Sequence, residues 1–202
     1  MTEPTIRRAS EGELAEVGAL IGLSFNQLVQ CASLVPRPND RLRVMSDFFA
    51  FLTEQAFRDG RVDLVDNGRG LEAAAVWFDR TGDMVEPPDY ESRLAALAGP
   101  YLGNFQALDE VFDKNHPTDP HWHLAFLAVH PDHQNRGLGS ALMRRTHAEL
   151  DAAGVPQYLE ATNEENIRLY RRHGYAAMDP FDIRLPDGTP FFRMWRPAGG
   201  SV

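Results

Sequence analysis

Apolar positions along the chain follow two periods, and the switches between them outline its elements. Residues 5–8 have the length of a short edge strand, and Ser10 stands three positions before Glu13, the spacing of a capping box that opens a helix. Leu14, Val17, Leu20, Ile21 and Phe25 then recur at helical spacing. Pro36 and Pro38 break the pattern. After them Leu42, Met45, Phe48, Phe49, Leu52, Ala56 and Phe57 mark a second amphipathic helix that ends at Gly60. Two helices are thus expected before the main sheet. Residues 61–66 and 71–79 are apolar, β-leaning runs on either side of Asn67-Gly68, which predicts an antiparallel hairpin.

Beyond Pro87 and Pro88, Leu94, Leu97, Tyr101, Leu108 and Val111 predict helix over 90–113, in two pieces split at Gly99-Pro100. Residues 122–129 are nearly all apolar, the signature of a central strand. A turn at Pro131 and a pair of glycines lead into a helix over about 137–153, closed by Gly154. A strand over 155–161, a helix over 162–173 and a hairpin of 175–185 with 191–196 around Asp187-Gly188 complete the order. Strands and helices interleave without linker or repeat, so residues 1–202 are expected to form one α+β domain with a mixed sheet.

Composition narrows the class. A chain of 202 residues with 43% hydrophobic and 24% charged side chains can bury a real core, which excludes disordered and collagen-like architectures. It has no run of about eighteen apolar residues, and charges occupy positions 1–10 where a secretory signal needs an apolar stretch. A cytoplasmic protein with no membrane partner is the expectation. Cys31 is the only cysteine, so neither an internal disulfide nor a multi-cysteine zinc site can form. A net charge of −9 argues against a nucleic-acid backbone as partner. Against that acidic balance, Arg136, Arg144, Arg145, Arg168, Arg171 and Arg172 gather in one stretch, a local patch suited to an anionic cofactor.

The most informative stretch runs from Val129 through His130, Pro131, Asp132, His133, Gln134, Asn135, Arg136, Gly137, Leu138 and Gly139 to Ser140, between the predicted buried strand and a long helix. A glycine-rich loop there exposes backbone N–H groups at the positive end of the helix, a ready seat for a pyrophosphate. Two familiar phosphate motifs do not fit. Leu142 stands where a dinucleotide fingerprint needs its third glycine, and no Gly-Lys-Ser/Thr triplet exists for a P-loop. What remains is Gln-x-x-Gly-x-Gly, which also serves as an ordinary tight turn.

Gln134-x-x-Gly137-x-Gly139 after Leu127-Ala128-Val129, then Leu159-Glu160-Ala161-Thr162, then Asn166-x-x-x-Tyr170-x-x-x-Gly174-Tyr175, resembles the GNAT superfamily of N-acetyltransferases. The specific part spans residues 121–174. Within the superfamily, Pro131-Asp-His-Gln, Gly137-Leu-Gly-Ser-Ala141, Ala153-Gly-Val-Pro156 and Leu159-Glu160 are most similar to the puromycin N-acetyltransferase type. The resemblance implies an α+β fold with a mixed, mostly antiparallel, twisted sheet of about six to seven strands flanked by helices, with splayed central strands. It implies acceptor-side helices over about 10–60 and an acetyl-CoA-binding core over about 121–175. It further implies that Leu127, Ala128 and Val129 hold the pantetheine arm and polarise the acetyl carbonyl, and that Gln134, Asn135, Arg136, Gly137, Leu138, Gly139 and Ser140 bind the pyrophosphate. Asn166 would contact the cofactor arm and Tyr170 would protonate the departing thiolate. A homodimer is common in the superfamily, though nothing in the chain fixes one.

Acyl transfer to an amine needs a neutral amine, donors for the developing oxyanion and a proton for the leaving sulfur. Thr162 and Glu165 have capping-box spacing, which starts a helix near Asn163 and sets Asn166 and Tyr170 on one face. A phenol with a pKa of about 10 suits a thiolate whose conjugate acid lies near 8.5 to 10. Without the resemblance, Tyr170 reads as a packing aromatic and Asn166 as a surface amide. Glu160 is one candidate base, directly or through water, and a strand anchor is its other reading. His123 is the second candidate, with His121 on the same strand face. His121-x-His123 also reads as a pair of metal ligands completed by His116 or an acid, but no further ligand has recognisable spacing, so no metal is expected. Cys31 follows an amphipathic helix as a small buried hydrophobe would, and direct transfer in a ternary complex is preferred. The acceptor, a small-molecule amine, is expected among Phe25, Asn26, Cys31 and Arg37, with residues 90–112 and the final hairpin. A CoA-binding regulator without turnover and a nucleotide-binding domain are the competing readings.

Overall fold

The computed structural model describes residues 4–68, 70–82 and 87–199; the first three positions of the charged N-terminal stretch lie outside them. Seven strands form one sheet in the order β1-β2-β3-β4-β5-β7-β6. They are β1 (Ile6–Arg8), β2 (Gly60–Asp66), β3 (Leu71–Arg80), β4 (His121–Val129), β5 (Gln157–Ala161), β6 (Ala176–Arg184) and β7 (Pro190–Arg196). Every neighbouring pair is antiparallel except β4 and β5, which run parallel. The expected edge strand, both hairpins and the central place of β4 are all present.

Helices cover both faces. On one lie α1 (Leu14–Phe25), α2 (Val29–Leu34), α3 (Pro38–Asp59), α4 (Tyr90–Ala98) and α5 (Leu102–Asn115); on the other lie α6 (Leu138–Ala152) and α7 (Glu164–Arg172). Each face has its own core. Val17, Ile21, Phe48, Phe49 and Phe105 fill the first, and Trp77, Leu142, Met143, Leu159 and Ile167 the second. The first core is dense because α1 and α3 nearly touch: a Cβ at Gly18 would lie 2.5 Å from the Cβ of Ala50. Ser10 and Glu13 form the expected capping box around a single 3-10 turn that precedes α1.

Two expectations are corrected. Three helices, not two, precede the main sheet, because residues 29–34 form α2 before Pro36 and Pro38, and Pro38 opens α3 at its first turn. Gly60 does end α3, but not as a left-handed cap. It is extended, with φ −175, and already belongs to β2, where a Cβ would lie 2.1 Å from the Trp77 carbonyl oxygen. Glycine is required there by the closeness of the neighbouring strand.

Ion pairs fasten the sheet to α6. Arg61 of β2 is buried between Asp63 and Glu149, and Thr146 donates to Asp63 at 3.2 Å. Arg196, at the end of β7, grips both oxygens of Asp151 at 2.5 and 2.7 Å. Both strand-to-helix anchors leave their α6 carboxylates below the usual range, chiefly through the arginine hydrogen bonds.

Three buried histidines and the half-buried His116 make the fold sensitive to acid. Burial pushes His116 and His147 down to about 3, and His121 and His173 down to about 4. In the unfolded chain each titrates near 6.5. A folded value below the unfolded one means that the unfolded state binds the extra proton, so stability is lost as pH falls below about 6.5. Urea unfolding between pH 7 and 5 is expected to show this loss, approaching about 1.4 kcal/mol per pH unit for each such histidine. A flat profile over that interval would contradict the burial of these imidazoles as neutral groups.

Candidate active site

The site begins where β4 and β5 part. Their pairing consists of Trp122 with Gln157 and His123 with Tyr158, although β4 continues to Val129 and β5 to Ala161. On its other edge β4 stays paired with β3 up to Ala73 and Val129, with a bulge that skips Ala125. The result is a fork in the middle of the sheet.

Strand alternation decides which backbone groups face the opening. The His130 N–H donates to the Glu72 carbonyl at 2.8 Å, so Ala128, two residues earlier, also directs its N–H and C=O toward β3. Leu127 and Val129 direct theirs toward the gap left by β5. The Val129 carbonyl takes the Ser24 hydroxyl at 3.0 Å, leaving the Leu127 groups and the Val129 N–H aimed into the fork. The Ala128 side chain is buried in the core of the opposite face and does not line the opening.

A groove of about 510 Å³ runs from this fork between α6 and α7. Its lining includes Leu127, Val129, Gln134, Asn135, Gly137, Leu138, Gly139, Ser140, Asn166 and Tyr170. Arg136 stands outside that lining, exposed, with its guanidinium on the Asp132 carbonyl at 3.0 Å. The loop earns its glycine: Gly137 sits at φ +80 and Asn135 at φ +61, both left-handed. Such turns direct consecutive N–H groups into a concavity at the N-terminus of α6, a surface that suits an anion. Gly139 leaves room in which a Cβ would meet Leu127 Cδ2 at 3.5 Å.

The helix bearing Asn166 and Tyr170 is capped differently from the expected Thr162–Glu165 box. Asn163 is the cap, accepting from the Asn166 N–H at 2.9 Å, while Thr162 accepts from the Asn166 amide nitrogen at 2.9 Å. An asparagine outcompetes the threonine because its carbonyl reaches the N3 amide. Tyr170 is buried with its ring against Tyr175, and desolvation raises its phenol well above the usual range, so it stays protonated.

His123 and Glu160 do not line the groove. They meet on the opposite face of the sheet, His123 Nε2 2.8 Å from Glu160 Oε2, both nearly inaccessible. His123 belongs to the last paired rung and Glu160 lies two residues past its partner, so this bond bridges β4 and β5 at the vertex of the fork. Burial pushes the Glu160 carboxyl up, but His123 and the neighbouring phenol of Tyr158 outweigh it and hold the carboxyl below its usual range. The His123 Nδ1 is buried and has no hydrogen-bond partner. His116 and His121 complete a packed imidazole cluster, their Nε2 atoms 3.2 Å apart. Among the described residues, no group of three or more His, Cys, Asp or Glu is arranged to hold a metal ion.

Of the residues expected around an acceptor, Phe25 lines the groove, as do Ser24 and Leu28, which carried no signal in the sequence beyond their place on a helix end. The unforeseen α2 straps this side down. Gln30, buried, donates to the carbonyls of Thr162 and Pro190 at 3.0 and 2.7 Å, and Ser33 meets Asp187 of the last hairpin at 2.5 Å. The arginine patch is divided: Arg172 lines the groove, whereas Arg145 turns to the Ile6 carbonyl at 3.0 Å, against β1.

Residues 104–177 match the family model described as an acetyltransferase (GNAT) domain. The whole chain superposes on a solved structure from Corynebacterium glutamicum, described as histone acetyltransferase HPA2 and related acetyltransferase, with TM-score 0.77, 24% identity and 100% and 99% of the two chains covered. Arylalkylamine N-acetyltransferase 2 from Aedes aegypti gives TM-score 0.64 at 12% identity, covering 96% and 98%. A GNAT family acetyltransferase from Brucella melitensis, solved with acetyl-CoA, gives 0.53 at 14% identity, covering 98% and 90%. The fold is that of the GNAT acetyltransferases.

Cys31 is buried, and desolvation pushes its thiol up to about 12. It is therefore expected to ignore a disulfide dye at pH 8 in the folded protein and to react fully in urea. Rapid labelling of the native protein would contradict this and reopen Cys31 as an acyl carrier.

Proposed function

We propose that this chain is a single N-acetyltransferase domain that moves the acetyl group of acetyl-CoA to a primary amine of a small molecule by direct attack in a ternary complex. The observation that carries the reading is the fork. One of its faces presents open backbone donors, an anion-binding loop and Tyr170, and the other presents a carboxylate–imidazole pair at the vertex. Acid and base on opposite sides of one opening suit acyl transfer, in which the amine adds to a face of the planar thioester carbonyl and the sulfur departs from the tetrahedral adduct.

The residues fit the donor. The N–H groups of Gly139 and Ser140 at the start of α6, with the left-handed Gly137, would hold the pyrophosphate; Leu127, Val129 and Asn166 would hold the arm. Bound acetyl-CoA would supply an activated thioester. The Val129 N–H, aimed into the fork, then polarises the carbonyl oxygen. The amine proton passes through water to the His123–Glu160 pair, whose 2.8 Å hydrogen bond couples the two candidate bases. Tyr170 donates toward the departing sulfur. The burial that makes the phenol a weaker acid also makes a thiolate a stronger base in the same groove, so the two remain matched.

Phe25 and Leu28 at the acceptor end favour an amine with an apolar body, consistent with the resemblance to puromycin N-acetyltransferase. The Aedes neighbour is named for arylalkylamines, which share that chemistry. We read the protein as a bacterial-type cytoplasmic enzyme; among the described residues no helix is long and apolar enough to cross a membrane.

The test is thiol release from acetyl-CoA over a panel of amines that includes puromycin, arylalkylamines, polyamines and peptides. Amine-dependent release is expected, falling about a hundredfold in Glu160→Gln and in Tyr170→Phe, the range for losing a general base or acid. If both variants kept the native rate at all pH values, the assigned roles would be lost. Binding of acetyl-CoA with no release for any amine would make the protein a CoA-binding regulator instead.

A further inference from the structure

Beyond the residues assigned above, His173 makes a contact that joins the two walls of the groove. It follows the last turn of α7, three residues after Tyr170, and is buried. Its N–H donates to the Tyr170 carbonyl and its own carbonyl accepts from Arg196 Nε, each at 2.9 Å, so its backbone is fixed from both sides. Its Nε2 lies 2.9 Å from the hydroxyl oxygen of Ser140, on the first turn of α6.

The tautomer follows from the surroundings. Burial and the cations Arg144, Arg172 and Arg196 keep the imidazole neutral at physiological pH, so it carries one N–H. Nδ1 is buried and has no partner. A hydrogen on Nδ1 would be an unpaired buried donor, whereas a bare lone pair there costs less, so the hydrogen sits on Nε2 and is donated to Ser140. The Ser140 oxygen then acts as acceptor toward α7. Among the described residues no acceptor takes its own hydrogen, and Ser140 lines the groove.

We propose that His173 is a positioning residue for the donor's pyrophosphate: it turns the Ser140 hydroxyl so that its O–H donates into the groove, and it ties the anion-binding end of α6 to the helix that carries Tyr170. The proposal rests on the reading of this groove as the acetyl-CoA site. A serine hydroxyl rotates freely unless its oxygen is claimed by a fixed donor, and an anion gains most from a donor already aimed at it. His173 is that fixed donor.

Calorimetric binding of CoA to the full chain tests it. Wild type must bind CoA first; failure there overturns the groove assignment and this role with it, before any variant is made. Given binding, His173→Ala is expected to weaken CoA by about tenfold, the scale of one hydrogen bond to a charged group. His173→Gln, whose amide nitrogen reaches the place of the imidazole Nε2, restores most of that loss. Ser140→Ala weakens binding similarly, and the double variant Ser140→Ala with His173→Ala is no weaker than Ser140→Ala alone. If His173→Ala does not fold, His173→Asn, whose amide falls short of Ser140, takes its place in the cycle. Unchanged affinity in the His173 variant, losses that add in the double variant, or no rescue by glutamine would each overturn the role and leave His173 as packing.

Discussion

Everything that gives this molecule a site depends on two parallel strands that stop pairing. A parallel ladder would normally continue along the whole shared length of β4 and β5, because each abandoned rung leaves backbone N–H and C=O groups in need of partners. Here only Trp122 with Gln157 and His123 with Tyr158 pair. The bulge at Ala125 bends β4 while keeping its far end on β3, and the far end of β5 remains paired with β7 through Ala161 with Phe192. Each strand therefore stays anchored on its outer side, and the sheet opens without coming apart.

That opening places chemistry on both faces. Side chains alternate along β4, so His123 points to the α3 and α5 side while Leu124 and, past the bulge, Leu127 and Val129 point toward α6 and α7. Along β5, Glu160 shares the face of His123, and Leu159 and Ala161 share that of the groove. The buried bond between His123 and Glu160 spans the vertex and replaces the ladder with a side-chain bridge. A buried ionisable pair is costly unless well partnered. It lies where the sheet divides, and the role proposed for it rests on that position.

Much of this was legible in the sequence, and the reasons for success and failure are physical. Seven strands were readable because apolar, β-leaning runs were bounded by strong turn signals, Asn67-Gly68 and Asp187-Gly188 among them. The groove was legible because left-handed positions demand particular residues: Gly137 announces the loop, and the spacing of Asn166 and Tyr170 on a helix does the rest. α2 was not legible, since six residues make fewer than two helical turns and are held by the long-range bonds of Gln30 and Ser33. The Asn163 cap was hidden by a neighbouring threonine with equally good spacing. The pairing of His123 with Glu160 joins residues 37 apart in sequence, and both had been singled out only as separate candidates. His173 had no signal at all, because its partner Ser140 lies 33 residues away.

The central claim is that the fork and the loop above it form one donor site. Hydrogen–deuterium exchange of the full chain with and without acetyl-CoA tests it most directly. The account predicts protection concentrated at Leu127 to Val129, at Gln134 to Ser140 and around Asn166 to Tyr170, with no change at the opposite end of the sheet around Gly60 and Thr81. Protection absent from those three segments while acetyl-CoA is bound, or confined to the Gly60 and Thr81 end, would contradict it.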